Sequence, residues 1–264
     1  MRQQLQNAAL KAVDWTMARI PRAIPDQLAL QDCKIISHRG EHNRPGTIEN
    51  TLPAFQIARA AGVWGIECDI RWTSDLVPII SHDASCQRLF GDPVLLHTLS
   101  FAQIRERFPP IPSLQEVLVD FGGATHLMLE IKADHYPEPA RQQQVLQDLL
   151  SSLIAGQDFH FLALDPSLFE YVDFLPRRFC MLVAQLNTSQ LSKQCIEQEF
   201  GGFAGHFLLL KDKLKERHVL SGQRIGTGFI SSKNSLFREL NRGVEWIFSN
   251  DAVKIQKIRD RYLE

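Results

Sequence analysis

Nine short runs of β-type residues punctuate the 264-residue chain, and several are apolar almost from end to end. They are KIIS (34–37), WGIECDI (64–70), VPIIS (77–81), HLMLEI (126–131), FHFLAL (159–164), FCMLVA (179–184), HFLLL (206–210), RIGTGFI (224–230) and VEWIFS (244–249). A strand with one wet face alternates polar and apolar residues. A strand covered on both faces does not, and that pattern belongs to parallel sheets. Helical patterns lie between most of the runs, at 50–62, 113–122, 139–156, 235–243 and 251–263. Strand followed by helix, repeated over one domain's length, predicts an α/β fold of the (β/α)8 TIM-barrel type, ahead of a doubly wound open sheet. The barrel is expected to be irregular. Nine strands are one too many, and HFLLL is the expected surplus, unless one strand is split in two by this reading. The link from Asp69 to VPIIS is too short for a helix, and 84–112 reads as an excursion that returns at Pro109, Pro110 and Pro112.

Composition narrows the class. Hydrophobic residues make up 44% and charged residues 22%, which suits a soluble globular domain with a sizeable core. A formal charge of -1 gives no basic field for nucleic acid. A single domain over 1–264 is expected, with its core at about 33–264 and a helical extension over 1–30. The opening MRQQLQNAALKAVDWTMARI is amphipathic and lacks the apolar centre of a secretory signal. No stretch is long enough to insert stably in a membrane. Cys33, Cys68, Cys86, Cys180 and Cys195 form an odd, unpatterned set, read as reduced thiols in a cytoplasmic protein. Barrel-side helices are compatible with a homodimer, though no residue pattern demands one.

In a barrel, chemistry gathers at the carboxyl-terminal strand ends. Those ends carry His38-Arg39, then Glu67 and Asp69, then His82-Asp83, then Glu130 and Lys132. Residues two apart share a strand face, so each of the pairs Glu67/Asp69 and Glu130/Lys132 points one way, toward the barrel mouth. Three carboxylates with no thiolate or imidazole among them suit a hard divalent cation, Mg²⁺ or Ca²⁺, better than zinc. Arg39 and Lys132 match an anionic substrate, and His38 and His82 can share proton transfer near neutral pH. The set describes cation-assisted cleavage of a phosphodiester. Each motif alone has a plainer reading as a strand-end turn, a solvated face or an internal ion pair. The four in order favour the functional one.

On SHRGEHNRPGTIENTLPAF (37–55), GIECDIRWTSD (65–75), VPIISHD (77–83), IPSLQEVL (111–118) and LMLEIK (127–132), the chain resembles the glycerophosphodiester phosphodiesterase family. The resemblance is dense over the first half and thin over the second. It implies a barrel, a divalent cation and hydrolysis of small-molecule glycerophosphodiesters to sn-glycerol 3-phosphate and an alcohol. By position it makes Glu67, Asp69 and Glu130 the metal ligands and His38 and His82 the acid–base pair. Arg39 and Lys132 fall on the phosphate, and Glu49 and Asn50 in a supporting role beside the site.

The second half departs from the family's pattern. Gly228 stands where a tryptophan is typical, Ser249-Asn250 where Thr-Asp is typical, and Asp165-Pro166 where a serine is common. Phe229 or Trp246 would be needed to restore an aromatic. These departures keep two alternatives in view: phospholipase D-type cleavage of lysophospholipids, and a non-catalytic barrel that binds a phosphorylated ligand. His97, His126, His135, His160, His206 and His218 lack the spacing of a second metal site, and Cys68 is expected on the helix-packed face.

Overall fold

The computed structural model describes residues 15–264. Its strands are β1 (Lys34–His38), β2 (Gly65–Trp72), β3 (Pro78–Ile80), β4 (His126–Ile131), β5 (Phe159–Ala163), β6 (Cys180–Ala184), β7 (Gly202–His206), β8 (Arg224–Gly228) and β9 (Trp246–Ser249). Each of β1, β2 and β4–β9 pairs in parallel with its neighbours, and β1 closes the ring by pairing with both β9 and β2. Eight parallel strands therefore form the expected (β/α)8 barrel. The surplus strand is VPIIS and not HFLLL: β3 runs antiparallel on β2, from Ile70↔Ile80 to Trp72↔Pro78, outside the ring. The HFLLL run was also misplaced, because the strand is Gly202–His206 and the chain then turns.

Alternation divides every strand between two environments. Ile66, Cys68, Ile70 and Trp72 of β2 and Leu127, Leu129 and Ile131 of β4 join the main core between sheet and helices. Cys68 thus lies on the helix side, as expected. Ile36, Met128, Leu162, Met181, Ala204, Trp246 and Phe248 fill the barrel interior. Below them, at the amino-terminal end, Trp64 stacks on His126 at 4.1 Å between ring centroids, and His126 Nε2 meets His160 Nδ1 at 2.8 Å. This lower half is a packed floor, and the chemistry is left to the upper rim.

The interior closes because large side chains face small ones. A Cβ on Gly226 would lie 2.7 Å from the Phe248 ring and 3.3 Å from the Ala204 Cβ. On Gly202 it would lie 2.5 Å from the Met181 Cε.

Helix starts are specified locally. Thr51 caps Leu52–Ala60 with Pro53 in the first turn, and Ser113 and Glu116 form a reciprocal capping box on Leu114–Phe121. The excursion over 84–112 holds the short helix Gln87–Phe90, a single turn at Leu96–Thr98 and the helix Phe101–Arg107. It has its own small core of Ile79, Cys86, Leu96, Leu99, Ile104, Phe108 and Ile111. Of the amino-terminal extension, residues 1–14 lie outside the described residues. From there Asn234 Nδ2 donates to the Ala18 carbonyl at 2.7 Å and Asn241 Nδ2 to the Ala23 carbonyl at 2.8 Å, tying the segment to the helix Lys233–Leu240. No helix among the described residues is long and apolar enough to cross a membrane. All five cysteines are buried and free.

Gly226→Ala is expected to destabilise the protein by about 1–3 kcal/mol, since the added methyl overpacks the interior against Phe248. Urea unfolding checks this, and an unchanged midpoint would show that the interior is looser than its contacts indicate.

Candidate active site

Alternation along β2 sends Glu67 and Asp69 inward just above the apolar floor, and β4 sends Glu130 to meet them, with Asp69↔Glu130 directly paired in the ladder. One oxygen from each of the three buried carboxylates lies within 4.8 Å of the others. Lys132, the next inward position after Glu130, places its Nζ 2.6 Å from Glu130 Oε1 and 3.1 Å from Asp69 Oδ1.

The turn after β1 explains ISHRG. Arg39 and Gly40 both adopt left-handed backbone conformations, with φ of 58° and 76°. Gly40 has no alternative, because a Cβ there would lie 2.8 Å from both the Ala54 Cβ and the Phe55 ring. The tight turn lets the Arg39 backbone N–H donate to the Glu67 carbonyl at 2.9 Å and to Glu67 Oε2 at 3.1 Å. It also swings the guanidinium back over the nest, with Arg39 Nε 3.3 Å from Asp69 Oδ2. Glu49 Oε1 accepts from Arg39 Nη1 at 3.1 Å. Asn50, also left-handed at φ 58°, donates from Nδ2 to Asp69 Oδ2 at 2.7 Å. Non-glycine residues in this region are strained, and here two of them stand at the site.

The histidines flank the nest with different partners. His38 Nε2 lies 3.7 Å from Glu67 Oε2, and its Nδ1 lies 2.6 Å from the Asn250 amide oxygen. His82 Nδ1 lies 2.7 Å from Asp83 Oδ1. In each ring the Nδ1–H must donate to that oxygen, which leaves Nε2 for the site. Burial and the neighbouring Arg39 push His38 down to about 4. Burial also lowers His82, but Asp69 and the Asp83 hydrogen bond oppose that shift.

Burial and the crowding of Asp69 and Glu130 raise Glu67 well above the usual carboxylate range. Burial and Asp69 also raise Glu130, against the pull of Lys132. Burial acts on Asp69 too, yet Lys132 and Arg39 hold it below its ordinary value. Glu67 Oε1 is buried without a hydrogen-bond partner, and Asp69 Oδ1 has only the Lys132 ammonium at 3.1 Å. Charge gives the same answer: Glu49, Glu67, Asp69, Asp83 and Glu130 face only Arg39, Arg88 and Lys132. With neutral histidines and all five carboxylates ionised, the excess of two negative charges is what one divalent cation would balance. The orphaned Glu67 oxygen and an all-carboxylate set fit a hard cation at Glu67, Asp69 and Glu130.

All nine residues singled out in the sequence therefore meet at one mouth. Four others were not given roles. Asp83 and Asn250 orient the histidines. Arg71, the third inward residue of β2 after Glu67 and Asp69, donates from Nε and Nη2 to the His82 carbonyl at 2.9 and 2.8 Å. Alternation could have found it. Arg88 reaches Glu49 and Asp83 from the excursion, and no local pattern marks it. Trp246 does not restore the aromatic missing at Gly228, since it faces inward but belongs to the floor. Phe229 stands half-exposed beside Gly228 and stacks on His206 at 5.3 Å. Asp165 turns away to cap the 3₁₀ turn Pro166–Val172, accepting from the Ser167 N–H at 2.9 Å.

Fold and site together define a (β/α)8 barrel with an acidic, histidine-flanked mouth. Residues 38–172, just over half the chain, match the model of the glycerophosphoryl diester phosphodiesterase family, and the chain belongs to that family. The rat protein "Glycerophosphodiester phosphodiesterase 1" is 39% identical over 93 residues, which cover 33% of this chain and 27% of the rat protein. The match thus spans about a quarter of that relative's length. A phosphodiesterase of Oleispira antarctica, solved in complex with the product sn-glycerol-3-phosphate, superposes with a TM-score of 0.73 at 19% identity, covering 88% of this chain and 99% of that one. The glycerophosphodiester phosphodiesterase of Thermotoga maritima gives 0.71 at 18%, covering 85% and 97%. At such identities the structural likeness establishes the fold.

A cation in the nest has a signature that needs no turnover. Mg²⁺ or Ca²⁺ at about a hundred times its Kd should raise the melting temperature by on the order of 5–10 °C. Folding raises the Glu67 pKa, so its ionisation costs stability as pH climbs above the ordinary value of 4.5. Glu67→Gln should therefore melt higher than wild type without metal at neutral pH, yet lose the cation-induced gain. A variant that still gained the full shift would remove Glu67 from the ligand set.

Proposed function

We propose that the protein hydrolyses glycerophosphodiesters to sn-glycerol 3-phosphate and an alcohol, with a divalent cation, Mg²⁺ or Ca²⁺, held by Glu67, Asp69 and Glu130. One observation carries this reading: three carboxylates, two cations and two histidines with free Nε2 atoms converge at one barrel mouth. Family membership and a structural relative holding sn-glycerol-3-phosphate support it. The catalytic unit is the domain with its core at about 33–264, and five buried free thiols support a cytoplasmic setting.

Arg39 and Lys132 bind the phosphoryl oxygens, and Glu49 and Asn50 hold Arg39 and Asp69 in place for that task. The cation, when bound, takes up charge on those oxygens. His38 and His82 divide the proton transfers according to their partners. An amide oxygen holds His38 by its Nδ1–H but lends no charge to an imidazolium, so Nε2 is kept as a base for the attacking oxygen. A carboxylate behind His82 supports the protonated ring, whose Nε2–H goes to the leaving alcohol.

A second reading has one observation in its favour. A Cβ on Gly228 would meet nothing closer than the Gly205 carbonyl at 3.8 Å, and half-exposed Phe229 adds apolar surface beside that space. Room of this kind suits the acyl chain of a lysophospholipid. An acyl chain retained on the phosphate product would identify that activity.

Glycerol 3-phosphate release from a panel of glycerophosphodiesters, with Mg²⁺, Ca²⁺ or chelator, tests the main reading. Release should require the metal, Glu130→Gln should abolish it, and His38→Ala should lower kcat by about 10²–10⁴-fold. Full metal-dependent activity in either variant would refute the assignment.

The division of proton roles makes a separate, signed prediction. His82 must be protonated to act as the acid, so activity falls as pH rises through its pKa. Asp83→Asn removes the carboxylate that supports the imidazolium, lowers that pKa and should move the alkaline limb of kcat to lower pH. A limb that stayed in place would take His82 out of the acid's role.

A further inference from the structure

Arg88 stands on the short helix Gln87–Phe90 in the excursion, outside the barrel and every motif noted in the sequence. Its guanidinium binds two carboxylates at once. Arg88 Nη2 donates to Glu49 Oε1 at 2.5 Å and Nη1 to Glu49 Oε2 at 3.1 Å, while Nε donates to Asp83 Oδ2 at 2.5 Å. Both carboxylates are already committed to the site. Glu49 Oε1 also receives Arg39 Nη1, and Asp83 Oδ1 receives His82 Nδ1. One guanidinium therefore joins the phosphate cation to the proton donor in an unbroken path: Arg39, Glu49, Arg88, Asp83, His82.

We propose that Arg88 is a positioning residue that fixes Arg39 and His82 relative to each other, and that the 84–112 excursion serves the reaction by supplying it. The proposal rests on the phosphodiesterase reading for its kinetic consequence, though not for the geometry. Ordinary surface ion pairs contribute little because their partners are mobile and hydrated. Arg88 itself is 47% exposed, but Glu49 is only 9% exposed, the contact with it is two-pronged, and each carboxylate has its other bonds fixed by a site residue.

The excursion is built to hold that arginine still. Cys86, immediately before the helix, is buried in the excursion's own core, and its backbone N–H donates to the Val94 carbonyl at 3.1 Å. Phe90 packs on Phe108 at 5.2 Å, and Gly91, left-handed at φ 76°, ends the helix. Lysine would keep the charge but not the paired N–H bonds of Nη1 and Nη2 to the two Glu49 oxygens, which need the planar fork.

Arg88→Ala should lower kcat for glycerol 3-phosphate release by about 10–100-fold, as removal of a group that orients site residues typically does, with KM changed much less. Guanidinium ion added to the variant should restore part of kcat. Arg88→Lys, which keeps the charge and loses the fork, should not recover wild-type turnover. Glu49→Gln in the Arg88→Ala background should add less than it costs alone, because both changes break one path. The melting-temperature gain with Mg²⁺ should persist in Arg88→Ala, showing a folded barrel with an intact nest. A second readout needs no turnover: NMR titration of His82 should show its pKa lowered in Arg88→Ala, since Asp83, whose hydrogen bond raises it, is no longer held in place by the guanidinium. A folded Arg88→Ala with kcat close to wild type, or with an unmoved His82 titration, would overturn the proposal. If the wild-type protein cleaved no phosphodiester, the functional reading would fall and the His82 titration would still decide whether Arg88 ties the site.

Discussion

Three buried carboxylates on neighbouring parallel strands are the constraint from which the rest of the mouth follows. Burying one unpaired carboxylate is costly, and burying three within 4.8 Å of one another is worse. The chain answers with fixed cations on both sides. Lys132 comes from the same strand end as Glu130, and Arg39 comes from a left-handed turn that only Gly40 can follow. Even so, Glu67 keeps a raised pKa and its Oε1 has no hydrogen bond. A proton on Glu67 or a divalent cation in the nest is the remaining way to settle that charge, which links the site's electrostatic imbalance to its chemistry.

The barrel makes such a site tolerable by separating two interiors. Trp246, Phe248, Met128 and Met181 occupy the floor, matched to Gly202, Ala204 and Gly226, so the lower half is tightly packed. The charged groups of the site enter in the layer above. Three of the functional side chains there are the next inward position after a floor residue: His38 after Ile36, Glu130 after Met128 and Asn250 after Phe248. The strand period that packs the floor also aims the chemistry.

That periodicity is why the first half of the site was legible from sequence. Glu67/Asp69 and Glu130/Lys132 announce a shared inward face, and the helix after ENT starts at a recognisable cap. The second half was less legible for a physical reason. The strand Gly202–His206 reads GFAGH, poor in β-forming side chains, because its first two inward positions, Gly202 and Ala204, must be small to admit Met181 and its neighbours. The apolar signal lies just beyond it, in Phe207 and Leu210, which pack into the helix layer after the strand has ended. The apolar run was therefore mistaken for the strand. The reverse happened at VPIIS, a true strand that pairs antiparallel and contributes nothing to the ring. Local hydrophobicity reports burial, and burial alone does not distinguish a barrel stave from a strand laid against it.

Asn250 and Arg88 show what alternation and motif spacing leave out. Asn250 lies 212 residues from His38, yet its amide selects the tautomer of that ring. Arg88 lies 39 residues from Glu49, on a helix of four residues with no amphipathic pattern of its own. Contacts of this kind arise only when the closed ring brings β9 beside β1 and the excursion folds back over the mouth. They also explain why two histidines in one site need not behave alike. One leans on a neutral amide and the other on a carboxylate held from behind by a guanidinium. The difference lies in the partners, and those partners come from the parts of the chain where the sequence pattern was thinnest.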